Sequence, residues 1–173
     1  MPKSRKELVS ILRKDLVNYK SRSIIKTLLK DPRYRVIVYI RLGCFLSACG
    51  FFGKSWILRS LKNKIAVKYG VDTTFGVEIG PGFRIVHLGG IVIHGRSKIG
   101  ENFTINNRVT IGQGQRKPEN VPTIGNNVYV GVGAVILGRI NVGDNVVIGA
   151  LSLVNKTVKS DSTVVGIPFR YLE

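Results

Sequence analysis

At 173 residues, with a formal net charge of +17 and 44% hydrophobic residues, the chain has room for one compact repeat domain and a helical extension, in the composition range of soluble globular proteins. Residues 1–14 are charged and broken by Glu7, which excludes the continuous apolar run of a secretory signal. The 2 cysteines, Cys44 and Cys49, share one apolar stretch without metal-ligand companions and are expected to be reduced and buried, in a cytosolic setting.

The charge is uneven. Residues 1–70 hold 17 Lys and Arg against 3 Asp and Glu, a net of +14, whereas residues 71–173 hold 10 against 7, a net of +3. The first segment, 1–70, is predicted to be helical from apolar residues spaced three and four apart, Leu8, Ile11, Leu12 and Leu16 and later Ile57, Leu58, Leu61 and Ile65, with a break near Asp31-Pro32. An uncharged run over 42–53 contains Phe45, Phe51 and Phe52 and is followed by Trp56. It is too short to span a bilayer, which takes about 20 apolar residues, and extension towards Val36 would draw Arg41 into hydrocarbon. Two readings stand: peripheral contact with an anionic membrane surface, or packing onto the rest of the fold and onto partner subunits, the second being preferred. Clustered Lys and Arg also suit a phosphate backbone, but zinc-finger spacing, an RNA-binding signature and a basic zipper region are all missing, so nucleic acid is not an expected partner.

From Ile79 a small aliphatic residue returns every six positions: Ile79, Ile85 and Ile91, then Ile99, Ile105 and Ile111, then Ile124, Val130, Ile136, Val142, Ile148 and Val154. That period fits neither a helix nor an alternating strand, and sandwich strands recur at about 8–12 residues. It predicts short flat segments joined by corners, each coil stacking its aliphatic residues on the next. The corners carry turn chemistry in register, including Gly100, Asn102, Asn106, Asn107, Gly125, Asn126, Asn127, Gly143 and Asn145. Between Ile111 and Ile124 the rhythm fails, and the polar stretch from Gly112 to Asn120 should protrude as a loop near 112–122.

This pattern resembles the hexapeptide-repeat acyltransferases. The resemblance implies a mainly β fold, a left-handed parallel β-helix over 71–173 with a short helical N-terminal segment. Histidine is scarce, with only His87 and His94. The stretch Ile85-Val86-His87-Leu88-Gly89-Gly90-Ile91-Val92, with Ile99-Gly100, Val109-Thr110-Ile111-Gly112 and Val164-Val165-Gly166-Ile167-Pro168, resembles the serine O-acetyltransferase branch. There a histidine before a small-residue turn is the general base, and an aspartate fifteen residues earlier orients it. The match here is Asp72, which an eighteen-residue coil would set one level below His87. Glu78, nine residues before His87, should lie on another face. His94 is expected to be a turn residue that can line the acceptor pocket. Zinc carbonic anhydrases of the same fold need three histidines, so no metal is expected.

The resemblance further implies acetyl-CoA as co-substrate, a homotrimer, and a cofactor groove between neighbouring prisms. Matching positions are Gly112, Gly131, Val132, Gly133, Ala134, Gly149 and Ala150, with Lys156 and Lys159 as partners for CoA phosphates, although tight coil stacking explains most of the small residues equally well. Where serine acetyltransferases place an Arg-His pair for the amino-acid acceptor, this chain has Asn120-Val121. A guanidinium suits a carboxylate, so its absence favours a sugar hydroxyl, free or lipid-linked, with Asn120 and His94 at the acceptor. The chain also resembles serine-acetyltransferase-like enzymes that decorate surface polysaccharides, and the expected function is saccharide O-acetylation in the cytoplasm, with contact at the inner face of the membrane as the less favoured reading for the N-terminal segment. The alternatives are serine O-acetylation for cysteine biosynthesis and a non-catalytic trimeric scaffold.

Overall fold

The computed structural model describes residues 2, 4–49, 54–114 and 120–172. Four helices come first: α1 (Arg5–Val17), α2 (Ile24–Lys30), α3 (Pro32–Ala48) and α4 (Lys54–Tyr69). Each of the first three begins on a side-chain cap, with Ser4 Oγ accepting from Glu7 N, Ser23 Oγ from Lys26 N and Asp31 Oδ1 from Arg33 N. The break at Asp31-Pro32 is the junction of two helices. Asp31 ends α2 and caps α3, and Pro32 occupies the first turn, where its missing N–H breaks no helical hydrogen bond.

The solenoid follows, coil by coil. The first coil holds β1 (Val71–Thr73), β2 (Glu78–Ile79) and β3 (Arg84–Ile85), the second β4 (Ile91–Ile93), β5 (Lys98–Ile99) and β6 (Thr104–Ile105), and the third β7 (Thr110–Gly112), β8 (Thr123–Ile124) and β9 (Tyr129–Val130). The fourth holds β10 (Val135–Leu137), β11 (Asn141–Val142) and β12 (Val147–Ile148), after which β13 (Leu153–Val154), β14 (Thr163–Val165) and β15 (Arg170–Leu172) close the end. Three parallel sheets form the walls: β1-β4-β7-β10-β13, β2-β5-β8-β11, and β3-β6-β9-β12-β14 with β15 antiparallel at its edge.

Stacked aliphatic columns fill the interior. One column is Ile85, Ile105, Val130, Ile148 and Val164, each at most 1% exposed. The column on the first wall runs through Ile93, Ile111, Ile136 and Val154, with Ile93 above Thr73. This corrects the register expected at Ile91, which pairs with Val71 instead. The reason is local: the corner at 86–90 carries two extra residues, so Ile85 to Ile93 takes eight positions where six is the rule. Both isoleucines are still buried.

A polar ladder holds one corner edge. Asn102, Asn127 and Asn145 have φ near +55° and donate in turn, Asn102 Nδ2 to Asn127 Oδ1 at 2.9 Å, Asn127 to Asn145 at 2.9 Å, and Asn145 to Asp161 at 2.8 Å. Asparagine suits both demands, tolerating the left-handed backbone and pairing amide to amide.

The helices pack on the first coil. Val36, Ile37, Ile40 and Cys44 of α3 join the same core as the prism, and a Cβ added to Gly43 would sit 2.3 Å from the Phe75 ring. The part of the uncharged run that lies on α3 is therefore a packing face; Phe51 and Phe52 lie outside the described residues, and Trp56 is 75% exposed. Cys44 is buried, but Cys49, just past the end of α3, is exposed, contrary to expectation; neither forms a disulfide. No helix among the described residues is long and apolar enough to cross a membrane.

Candidate functional site

The enlarged corner after β3 carries His87. Gly89 and Gly90 turn it with φ of +106° and +66°, which side chains resist. Its neighbour in the coil below is Gly70, whose missing Cβ would lie 3.0 Å from Gly89 Cα, and its neighbour above is Arg108, whose N–H donates to Gly89 O at 2.9 Å. Asp72 stands two residues beyond Gly70 and His87 two residues before Gly89, so the two candidate catalytic residues flank one backbone contact. Both side chains are exposed.

They are not stacked one above the other. Asp72 pairs with Val92 in the next coil, because the first coil takes twenty residues, and His87 lies five positions earlier, around the corner. Among the described residues no hydrogen bond joins the two side chains; Asp72 Oδ1 has Lys62 Nζ of α4 at 3.8 Å. Glu78 lies on β2 in a different wall, as its spacing suggested.

Asp72 opens onto a cleft of about 680 Å³ whose lining includes Lys62, His94, Arg96, Gly112 and Gln113. His94 is half-buried and shapes its turn, with Nδ1 accepting from Arg96 N at 3.2 Å. In a neutral ring that acceptance assigns the proton to Nε2. Asn120 lies elsewhere: its carbonyl accepts from Gly114 N at 3.2 Å, closing the neck of the loop, and it lines a second cleft of about 470 Å³ with Arg139 and Asn155. The two residues expected at the acceptor thus face adjoining clefts, with Leu137 common to both. Residues 115–119 of the expected loop lie outside the described residues.

The expected cofactor positions divide in the same way. Gly131, Val132, Gly133 and Ala134 follow β9, and Gly149 and Ala150 follow β12, at the corner edge that His87 occupies two and three coils below them. Coil stacking already demands small residues there, since a Cβ on Gly131 would meet Ala150 N at 2.6 Å and one on Gly149 would meet Val165 at 2.5 Å. Gly112 belongs to the cleft wall. Lys156 and Lys159 are exposed on the other two corner edges, after β13 and before β14. Lys62 and Arg96 were missed from sequence: nothing in the run of α4 announces that it lies over β1, and Arg96 sits in the turn between β4 and β5, where a cation carries no local signal. Among the described residues no three His, Cys, Asp or Glu side chains gather to hold a metal.

A stacked three-walled solenoid with an exposed imidazole at an enlarged corner defines a class, the hexapeptide-repeat transferases. Residues 122–156 match the family model for bacterial transferase hexapeptide (six repeats). The chain is 37% identical over 142 residues to a serine acetyltransferase of Helicobacter pylori, covering 82% of this chain and 81% of that protein. It is 42% identical over 117 residues to the serine acetyltransferase of Synechococcus elongatus, covering 67% of this chain but only about half, 48%, of that longer protein. Among solved structures, a serine acetyltransferase in complex with cysteine superposes with a TM-score of 0.85 at 27% identity, over 98% of this chain and 67% of the other. One in complex with CoA gives 0.83 at 27% identity, over 97% and 71%. The chain belongs to the serine acetyltransferase family. The narrower likeness to polysaccharide-decorating enzymes finds no support in these relatives.

Proposed function

We propose that this protein is an acetyl-CoA-dependent O-acetyltransferase with L-serine as its acceptor. The observation that carries the reading is the identity with the Helicobacter enzyme across 81% of its length, together with Asp72 and His87 on either side of the Gly70–Gly89 contact. Neutral His87 takes the acceptor hydroxyl proton as the oxygen attacks the thioester carbonyl, and the imidazolium then returns the proton to the departing sulfur. Such general-base catalysis contributes about 10²–10⁴-fold, the rest coming from positioning and from N–H donors to the oxyanion. Asp72 holds the imidazole in the right tautomer and stabilises its charge, a role that requires the ring to swing towards β1 on substrate binding. The small-residue edge over His87 and the wall at Gly112 receive the pantetheine arm, and Lys156 or Lys159, which stand on different corner edges, receives the phosphates. The working unit is a homotrimer, in the cytosol.

Serine is preferred to a saccharide because the cleft at Asp72 offers Lys62 and Arg96, cations that can meet a carboxylate although Asn120-Val121 cannot. A neutral sugar hydroxyl is the second reading, and the Asn120-Val121 departure is what favours it. The test supplies acetyl-CoA with serine or with candidate saccharides and follows free thiol. Release with serine alone supports the reading; release with a saccharide alone overturns the acceptor, and no release from either overturns the enzyme. In a parallel thermal-shift titration, acetyl-CoA raises the melting temperature of an enzyme and leaves that of a bare scaffold unmoved.

A further inference from the structure

The outer face of α1 and α2 sets exposed aliphatic side chains among exposed cations. In α2 the apolar pair Ile25 and Leu29, one turn apart, points outward at 72% and 71% exposure, while Thr27 faces the interior. Val17, at the end of α1, is 74% exposed. Cations surround them: Arg13 and Arg22 share a groove with Ile25, Arg13 continues into a second groove with Arg5 and Lys6, and Lys26 and Lys30 flank the pair on α2. All six are exposed, and among the described residues none is ion-paired. The nearby acids are engaged or turned away: Asp15 is fully buried on Arg41, Asp31 is held by Arg33 at 2.6 Å, and Glu7 opens onto another cleft, beside Lys14.

We infer that this α1–α2 face docks on an anionic lipid bilayer surface. Unpaired Arg and Lys are drawn to acidic headgroups, and outward aliphatic side chains at one level gain by entering the headgroup boundary. A second copy presenting the same face would set these cations against each other, which an isologous contact cannot relieve. A nucleic acid would use the cations but gain little from bare aliphatics, where single-strand binders present stacking rings. The inference is independent of the acceptor.

The full-length protein is sedimented with phosphatidylcholine vesicles, with and without phosphatidylglycerol. Binding is expected only with the anionic lipid, falling as salt screens the charges. Ile25→Ser with Leu29→Ser weakens it on the order of tenfold or more, as loss of buried apolar area does. Lys26→Glu with Lys30→Glu weakens it similarly, and circular dichroism with light scattering checks fold and mass. No binding, equal binding to neutral vesicles, or binding indifferent to both variants overturns the proposal. A drop in oligomer mass in the Ile25/Leu29 variant overturns it too, assigning the face to a second copy.

Discussion

Lys62 Nζ lies 3.8 Å from Asp72 Oδ1, so a cation of α4 and a carboxylate of β1 meet on the wall of the cleft that also holds His94. The side chains are 43% and 62% exposed, and ion pairs so wetted contribute only about 0–1 kcal/mol. Lys62→Met should therefore leave the melting temperature nearly unchanged. With serine as acceptor it should raise KM for serine on the order of tenfold, through loss of a charged partner for the carboxylate, and leave KM for acetyl-CoA alone. Steady-state kinetics in both substrates is the measurement. An unchanged KM for serine removes Lys62 from acceptor binding.

His87→Ala and Asp72→Asn should each lower kcat/KM, the histidine variant by about 10²–10⁴-fold, as loss of a general base does. Neither should change stability, because both side chains are exposed. If the carboxylate acts through the imidazole, the double variant falls no further than His87→Ala alone, since residues acting as a unit are not additive. Additive losses would separate Asp72 from the histidine and leave it a partner of Lys62.

The six-residue rhythm was readable because one aliphatic position per wall is all that a prism of this size can bury, so Ile105, Val130 and Ile148 mark their own column. The register around His87 was not. Ile91 and Ile93 are chemically alike and both buried, and only the backbone path through Gly89 and Gly90 decides which one stacks on Ile111. The family resemblance pointed to Asp72 and His87, but it could not supply Lys62. That residue reaches the site through the docking of α4, a long-range packing event with no local signature. The apolar run on α3 shows the same limit, since its burial depends on Phe75 and Val77 of the prism.

Asp15 and Arg41 form the polar clamp between helices and prism. Asp15 is fully buried and Arg41 only 4% exposed; Arg41 Nε donates to Asp15 Oδ2 at 2.9 Å and Nη2 to Gly80 O at 2.7 Å. The same carboxylate accepts from Gly82 N and Phe83 N, each at 2.8 Å. Removing one partner leaves a buried charge, which typically costs about 3–5 kcal/mol. Arg41→Met should lower the urea midpoint accordingly, and so should Asp15→Asn, which strands the buried guanidinium and sets an amide donor against a donor. Equal midpoints for Arg41→Met and parent would mean that water reaches the clamp.

The two cysteines should behave as opposites. Burial raises the Cys44 thiol from its ordinary 9.0 to about 11, with Arg41 pulling weakly the other way, whereas Cys49 stands in solvent. At neutral pH an aromatic disulfide reagent should therefore modify Cys49 quickly and Cys44 only on unfolding. The raised value also fixes the sign of a pH effect. Above the unfolded value the open chain loses its thiol proton while the folded chain keeps it, so stability present below about 9 is lost as pH rises towards about 11. Tyr19, raised by burial from 10.0 to about 12, extends the loss upward. Melting temperatures across that range, in the parent and in Cys44→Val, provide the check: the variant should fall less steeply between about 9 and 11, and parallel curves would show that the Cys44 proton is not linked to folding.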